Sequence, residues 1–130
     1  MGEYVWPDNS RYVGEWKNDQ LDGEGVFYQS NGCSYIGYWK NDQMHGLGTY
    51  MWPDGKIYYG SYNYGQKSGK GFMIISKTKA YNGNWLNGQQ HGIGYQILGS
   101  NDNIEVKKGE WSKGKRQNWI ENIQDDEIRE

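Results

Sequence analysis

Two histidines and a single cysteine are the side chains of this sequence best suited to metal binding or nucleophilic chemistry. His45 and His91 stand 46 residues apart, each in a polar stretch with the composition of a turn. That spacing equals two periods of the repeat described below, which places them about 19 Å apart in a sheet, too far to share a metal ion. Cys33 lies in the turn-like stretch SNGCS and has no second cysteine for a disulfide. We interpret all three as turn residues.

Motifs for a phosphate-binding loop, a zinc protease or a serine hydrolase do not occur in the chain. Glycine pairs spaced G-x-G recur, but none begins a helix after a strand, as a dinucleotide site requires. The stretch SNDNIE lacks the spacing, the central glycine and the terminal glutamate of an EF-hand calcium loop. We therefore expect a non-enzymatic protein without a metal or a cofactor.

Charge is distributed unevenly along the chain, although the net charge is only -2. Residues 1–54 carry eight acids and three bases, whereas residues 55–101 carry five lysines and no acid. The acid-free segment favours an anionic partner, and its candidate contacts with an anionic surface are Lys67, Lys70, Lys77 and Lys79. Nucleic-acid-binding modules are usually basic overall, so we expect no nucleic-acid partner.

Aromatic residues and glycine dominate the composition. Tyrosine (12) and tryptophan (7) outnumber phenylalanine (2), and there are 20 glycines. Tyrosine and tryptophan suit partly wet surfaces, so we expect much of the apolar area to lie on a sheet face. No apolar run approaches the roughly 20 residues of a membrane span, and the N-terminus does not resemble a secretory signal. With a lone cysteine, a reducing, cytoplasmic location is expected.

A repeat of 23 residues runs through the sequence. Each unit has the pattern Y-x-G-x-[WY], then six residues rich in turn formers, then G-x-G and an apolar tail. A period of this length indicates stacked units, each of which buries its apolar face only against its neighbours. The aromatic pairs of the first motif are Tyr12 and Trp16, Tyr35 and Trp39, Tyr58 and Tyr62, and Tyr81 and Trp85.

Alternation within each unit predicts a β-hairpin. Residues i, i+2 and i+4 of a strand share one face, so Tyr12, Gly14 and Trp16 point the same way. Stretches such as KNDQLD supply the turns between strands. The prediction is an all-β protein, a single-layer antiparallel β-meander of stacked hairpins. Because glycine weakens a strand, we expect each repeated glycine to serve as bare backbone on which a neighbouring ring lies.

The units closely resemble the MORN repeat, roughly Y-x-G-x-W-x-x-G-x-x-H-G-x-G, as in YVGEWKNDQLDGEG and YNGNWLNGQQHGIG. Asp19 and Asp42 replace the turn glycine of that pattern. Lys107 stands where the fifth tyrosine belongs, so the strand there departs from the repeat pattern. The array of residues 1–117 divides into a half unit at 2–11, full units at 12–34, 35–57, 58–80 and 81–103, and a degenerate unit at 104–117.

The periodicity changes at both ends of the array. Residues 2–6 are predicted to form an open edge strand. Asn118, followed three residues later by Glu121, resembles a capping box at a helix start. We predict that residues 118–130 form a helical cap or tail, with the helix over about 119–129. It either folds over the last strand or docks onto another protein.

Two faces of the predicted sheet are candidates for binding a partner. The return strands are apolar on a second face, at Tyr28, Met51, Phe72, Ile74 and Tyr95, whereas a single-layer sheet in water should have one polar face. We expect curling, a cap or a partner to cover part of this surface. The aromatic ladder on the first face, rich in the residue types of binding hot spots, consists of Tyr12, Trp16, Tyr35, Trp39, Tyr50, Trp52, Tyr58, Tyr62, Tyr81 and Trp85.

The resemblance to MORN arrays implies docking onto cytoskeletal partners, such as ciliary axoneme components and myosin tails. The first hypothesis is a protein-interaction scaffold within a larger cytoskeletal or ciliary assembly, in which an aromatic groove receives a partner segment. The alternative is a phospholipid-surface module with weak contacts to anionic lipid, since the family is also linked to membranes. MORN repeats also precede catalytic domains, so an accessory region of a larger enzyme is the third hypothesis.

Overall fold

The computed structural model describes residues 1–120, which form one antiparallel sheet of 11 strands, each paired with its neighbours in sequence. The predicted single-layer meander is confirmed. No helix capable of crossing a membrane is found in this part of the chain. The strands are β1 (Gly2–Val5), β2 (Arg11–Lys17), β3 (Gln20–Tyr28), β4 (Ser34–Lys40), β5 (Gln43–Met51), β6 (Ile57–Asn63), β7 (Gln66–Ser76), β8 (Lys79–Leu86), β9 (Gln89–Ser100), β10 (Asn103–Ser112) and β11 (Lys115–Trp119).

The turns within the hairpins are shorter than the six residues predicted. In the first hairpin only Asn18 and Asp19 turn the chain, and Lys17 pairs directly with Gln20. Both turn residues have positive φ, the type I′ geometry that matches the twist of two paired strands. The same geometry recurs at Asn41–Asp42, Tyr64–Gly65, Asn87–Gly88 and Lys113–Gly114.

A row of ten glycines crosses the sheet from β1 to β10, with each glycine directly opposite the next. An added Cβ at Gly25 would overlap the Tyr12 ring, and one at Gly48 would overlap the Tyr35 ring. The expected packing of rings on glycine is therefore confirmed for this row. It is wrong for the first glycine of each G-x-G pair, such as Gly23, which has positive φ and no ring against it. The row consists of Gly2, Gly14, Gly25, Gly37, Gly48, Gly60, Gly71, Gly83, Gly94 and Gly109.

The core is built from the rings of one face, called here the aromatic face. Tyr12, Tyr35, Tyr58 and Tyr81 are at most 1% exposed. Each meets the ring four residues later edge-on at 5.1–5.4 Å between centroids. Each also meets a ring of the following unit at 4.9–5.6 Å. An unbroken chain of edge-to-face contacts thus joins each hairpin to the next.

A β-bulge in each outgoing strand satisfies the hydroxyl of the buried tyrosine. Pairing shifts register between Gly14 and Trp16, which leaves Glu15 outside the ladder. The Tyr12 hydroxyl donates to the Glu15 carbonyl at 3.0 Å. The same bond recurs from Tyr35 to Tyr38 at 3.0 Å, from Tyr58 to Ser61 at 2.9 Å and from Tyr81 to Asn84 at 2.9 Å.

Backbone hydrogen bonds also join each turn to the hairpin before it. The second turn residue donates its N–H to a carbonyl near the start of the preceding return strand, as Asp42 does to Leu21 at 3.0 Å. Asp42 adds a second bond, because its Oδ1 accepts the Leu21 N–H at 2.7 Å. The equivalent backbone bonds run from Gly65 to Met44, from Gly88 to Lys67 and from Gly114 to Gln90.

The C-terminal prediction is wrong where it can be examined. Asn118 and Trp119 belong to strand β11, and Trp119 pairs with Gly109, so no helix begins there. Ladder pairing on the last hairpin overrides the local capping pattern. The rest of the predicted helix, residues 121–130, lies outside the described residues.

The strand that carries Lys107 is regular, since β10 pairs with β9 at nine consecutive positions without a register shift. Lys107 stands in the row of the buried tyrosines and places its Nζ 5.3 Å from the centroid of the Trp119 ring. The lysine thereby keeps an aromatic contact on the aromatic face.

Candidate interaction surface

An open groove of about 1120 Å³ lies on the aromatic face over β1–β5. The half-buried rings of Trp6, Trp16, Phe27 and Tyr50 border it. Its floor includes Tyr35, which is only 1% exposed. A concave, largely aromatic surface of this size suits several side chains of a bound segment. We call this surface the aromatic groove.

The ten residues of the predicted aromatic ladder all pack in one cluster, but they differ in the surface they offer. Tyr12, Tyr35, Tyr58 and Tyr81 are fully buried, and Trp39, Tyr62 and Trp85 are 6–9% exposed. These seven rings hold the sheet together and present little area to a partner. Trp16, Tyr50 and Trp52 are half-buried and present ring surface.

Four further residues border the aromatic groove that were not among the predicted binding residues. Trp6 occupies in the half unit the position of Trp52, and Phe27 lies opposite Tyr35 in the ladder. Leu21 and Met44 occupy one repeat position at the start of successive return strands. Strand alternation and the 23-residue period were the signals that place all four on the aromatic face.

Three carboxylates border the aromatic groove, namely Asp8, Asp19 and Asp42, and no basic side chain does so in the described residues. Asp8 Oδ1 accepts the Ser10 N–H at 2.9 Å, and Asp42 Oδ1 accepts the Leu21 N–H. Backbone contacts thus hold two of the acids in place. The aromatic groove combines apolar ring surface with negative charge.

Burial fixes the protonation of the tyrosine hydroxyls on the aromatic face. It raises the pKa of Tyr12, Tyr35 and Tyr81 to about 12 from an ordinary value of 10.0. For Tyr58 and Tyr62 burial raises the pKa further still. Near neutral pH these hydroxyls are therefore neutral hydrogen-bond donors.

The four candidate lysines do not share a surface. Lys67 lies on the aromatic face, with its Nζ 5.4 Å from the Trp52 ring centroid, and burial lowers its pKa. Lys70 pairs with Asn84 on the opposite face. Lys77 lies in the turn between β7 and β8, and Lys79 is the first residue of β8. No described surface collects all four charges.

The five residues of the second apolar face lie on the side of the sheet opposite the aromatic face, and no described residue covers them. Tyr28 and Tyr95 are 43% and 41% exposed, and Met51, Phe72 and Ile74 are half-buried. Cross-strand pairing arranges this opposite face in rows. One runs through Arg11, Tyr28, Ser34, Met51, Ile57, Ile74, Ala80 and Ile97, and another through Val13, Val26, Ile36, Thr49, Tyr59, Phe72, Asn82 and Tyr95.

The interpretation of both histidines as turn residues is wrong, since His45 lies in β5 and His91 in β9, whereas Cys33 does lie in the turn between β3 and β4. His45 Nδ1 accepts the Tyr64 N–H at 3.2 Å, and the two rings are 4.5 Å apart. Cys33 is buried where one hairpin joins the next. Within residues 1–120, no group of three or more metal-ligating side chains comes together.

Stacked hairpins joined by a glycine row and an aromatic ladder define a class of β-repeat proteins. A sequence model of the MORN repeat matches residues 1–11, 12–34, 35–57, 58–77, 81–102 and 108–117, so the chain belongs to the MORN-repeat family. Repeats of this family are generally modules that interact with proteins or membranes. No curated protein sequence matches the chain closely enough to serve as a relative.

Proposed function

We propose that this chain is a non-enzymatic protein-interaction scaffold whose aromatic groove docks a segment of a partner protein. The aromatic groove itself carries the proposal, since half-buried Trp6, Trp16, Phe27 and Tyr50 border about 1120 Å³ of open space. Buried apolar and aromatic anchors supply most of the binding energy in protein interfaces.

The rigid floor beneath the aromatic groove favours docking without rearrangement. Tyr12 and Tyr35 are locked by edge-to-face contacts and by hydroxyl bonds to the bulged carbonyls. A preorganised surface loses little conformational entropy when a partner binds. An extended or helical segment lying across the strands would contact the rings of successive hairpins at once.

A place in a larger cytoplasmic assembly is part of this proposal. The opposite face, with Tyr28 and Tyr95 exposed, gives the single-layer sheet a second apolar surface. Two binding faces suit a structural subunit that bridges partners, and membership of the MORN family supports a cytoskeletal or ciliary setting. The dispersed lysines do not favour a membrane surface as the main ligand.

Site-specific photo-crosslinking tests which face docks the partner. A photo-reactive phenylalanine analogue replaces Tyr50 in the aromatic groove or Tyr95 on the opposite face, and the full chain is irradiated in a cytoskeletal fraction. We expect a discrete crosslinked protein from position 50 and a weaker or different product from position 95. Equal capture of the same protein at both positions would overturn docking in the aromatic groove.

Paired alanine variants provide the matched control for this assignment. Trp16→Ala with Tyr50→Ala removes two rings from the aromatic groove, whereas Tyr28→Ala with Tyr95→Ala removes two exposed rings from the opposite face. Circular dichroism and urea unfolding establish that each variant folds. Loss of the crosslinked partner in the first pair alone supports the proposal, and loss in the second pair alone contradicts it.

A further inference from the structure

Charges of opposite sign lie on the two sides of the Tyr50–Trp52 ring pair on the aromatic face. Asp8, Asp19 and Asp42 border the aromatic groove on one side. Lys67 lies on the other side, against the Trp52 ring. The aromatic face is therefore electrically polar along the direction in which a bound segment would lie.

The carboxylates of the aromatic groove carry charge that no neighbour neutralises. Among the described residues, the ion pairs involve Glu3, Asp54 and Glu105 and none of the three acids of the groove. Asp8 and Asp42 are nevertheless held by backbone N–H groups at 2.9 and 2.7 Å. Fixed, unneutralised charges at a binding surface favour partners of opposite charge.

Lys67 brings the opposite charge to a repeat position that is uncharged in the other full units, where Leu21, Met44 and Gln90 stand. In the degenerate unit Arg116 stands there, opposite Trp111 and over the Trp119 ring. The Lys67 Nζ lies 5.4 Å from the ring centroids of Trp52 and Tyr58 and 5.5 Å from that of Trp85. It takes part in no ion pair within residues 1–120. A partly desolvated cation held over three rings is a strong anchor for an incoming carboxylate.

The sheet geometry sets the separation of the two charges. The Asp42 carboxylate lies on the Leu21 N–H at the start of β3, and Lys67 lies near the start of β7, four strands or about 19 Å away. Asp19 is the equivalent turn residue one hairpin earlier, which adds two strands or about 10 Å. An extended segment rises about 3.3 Å per residue, so these distances correspond to about six to nine residues.

We propose, on the basis of docking in the aromatic groove, that the bound segment is an amphipathic peptide of defined charge order. It places Lys or Arg side chains over β1–β5 and an apolar or aromatic side chain among the rings. It places an Asp or Glu carboxylate at Lys67, about six to nine residues from the basic position. The rings supply affinity, and the two charged ends set the register and exclude segments of the wrong pattern.

Selection from a phage-displayed random peptide library on the full chain tests the proposal. We expect the enriched peptides to combine a basic and an acidic residue at that spacing with an apolar residue between them. Lys67→Glu should abolish the preference for the acidic residue and weaken binding of a selected synthetic peptide about tenfold. Asp19→Asn with Asp42→Asn should abolish the preference for the basic residue, and asparagine at 42 still accepts the Leu21 N–H.

Matched variants on the opposite face control for net charge. Lys70→Glu makes the same charge change three residues from Lys67, and Asp22→Asn with Glu24→Gln neutralises two acids outside the aromatic groove. We expect both controls to select the same peptides as the unmodified chain. A control that changes the selection as strongly as the groove variants would overturn the proposal in favour of a general charge effect.

Three other outcomes are informative. Enriched peptides without the charge pattern, whose binding still requires Trp16 and Tyr50, overturn the charge order and leave docking in the aromatic groove intact. A library that yields no enriched peptide overturns both proposals. Binding to phosphatidylserine vesicles that disappears in Lys67→Glu and not in Lys70→Glu also overturns the peptide assignment, because it makes Lys67 a lipid contact.

Discussion

At the scale of single residues, the sheet depends on the glycine row. A Cβ added to Gly37 would lie 2.6 Å from the Gly48 Cα and 2.7 Å from the Leu47 carbonyl oxygen, both backbone atoms. Because Gly37 has ordinary strand backbone, the obstacle is steric and the strands would have to separate. The row is therefore a packing requirement of the aromatic ladder.

Gly37→Ala is expected to destabilise the fold by about 3 kcal/mol, the upper part of the usual range for overpacking. The control is Gly99→Ala in β9, where an added Cβ meets nothing within 4 Å, and where alanine should be neutral or stabilise by about 0.5 kcal/mol. Urea unfolding followed by tryptophan fluorescence measures both. Equal effects of the two substitutions would contradict the packing role of the row.

Removing a buried tyrosine hydroxyl tests whether its hydrogen bond to the bulged strand stabilises the aromatic ladder. Tyr35→Phe keeps the ring but removes the bond to the Tyr38 carbonyl at 3.0 Å, leaving an acceptor without its donor. We expect a loss of about 1–2 kcal/mol in the free energy of unfolding. Tyr59→Phe, at a ring that is 56% exposed, should change it by less than about 0.5 kcal/mol. A loss no larger for Tyr35→Phe than for Tyr59→Phe would show that the hydroxyl is dispensable.

At the scale of elements, the two-residue turns do more than reverse the chain, because each also bonds to the hairpin before it. Asp19 and Asp42 both adopt positive φ, at 63° and 66°, where glycine is better suited. Among the described contacts of these two residues, only Asp42 makes a side-chain hydrogen bond, in which its Oδ1 accepts the Leu21 N–H at 2.7 Å. This bond offsets the cost of the positive φ at Asp42. Aspartate in place of the family's turn glycine therefore costs stability at position 19, whereas at position 42 a hydrogen bond offsets that cost.

Asp19→Gly is expected to stabilise the protein by about 0.5–1 kcal/mol by relieving backbone strain. Asp42→Gly gains the same relief but loses a hydrogen bond to a charged acceptor, worth about 1.5–3 kcal/mol, so it should destabilise. Asp42→Asn, which retains the acceptor, should lie between the two. Thermal unfolding of the three variants gives the order, and stabilisation by Asp42→Gly as large as by Asp19→Gly would rule out the stacking bond.

Sequence reasoning is most successful where the repeat and strand alternation agree. Together they place Tyr12, Gly14 and Trp16 on one face and predict the packing of rings on glycine. They fail at the turns, because the polar residues after Asn18–Asp19 resemble turn formers while pairing as strand. They fail again at Asn118, where a helix-capping signal competes with pairing to the neighbouring strand β10. A capping pattern does not report on the cross-strand pairs that a residue makes.

The residues of the aromatic groove were predictable only in part, because their exposure depends on the packing of the whole array. Period alone assigns a side chain to a face, and on that basis all ten ladder residues were candidates. Their exposure depends on how tightly neighbouring units pack, so Tyr58 is buried while Tyr50 remains accessible. Lys67 shows the same limit, since its repeat position predicts the face but not the three rings around it.

The shared burial of the tyrosines predicts how the whole array responds to alkaline pH. Tyr12, Tyr35, Tyr50 and Tyr81 have their pKa raised to about 12, and in each case burial is the largest cause. In the unfolded chain the ordinary value is 10.0. A raised folded-state pKa means that the folded protein holds its protons more tightly, so stability is full below pH about 10. It falls as pH rises from about 10 through about 12.

We therefore expect cooperative loss of the sheet in this alkaline window, with ionisation of the buried rings and loss of structure occurring together. Tyrosinate absorbance and far-ultraviolet circular dichroism, recorded on one sample, test the coupling. Tyr58→Phe serves as the control, because it removes one linked proton and should flatten the pH dependence of stability although the variant is less stable at neutral pH. Ionisation of the buried rings with a midpoint near pH 10 and an intact sheet would contradict the linkage, because the folded array would then hold its phenolic protons no more tightly than the unfolded chain.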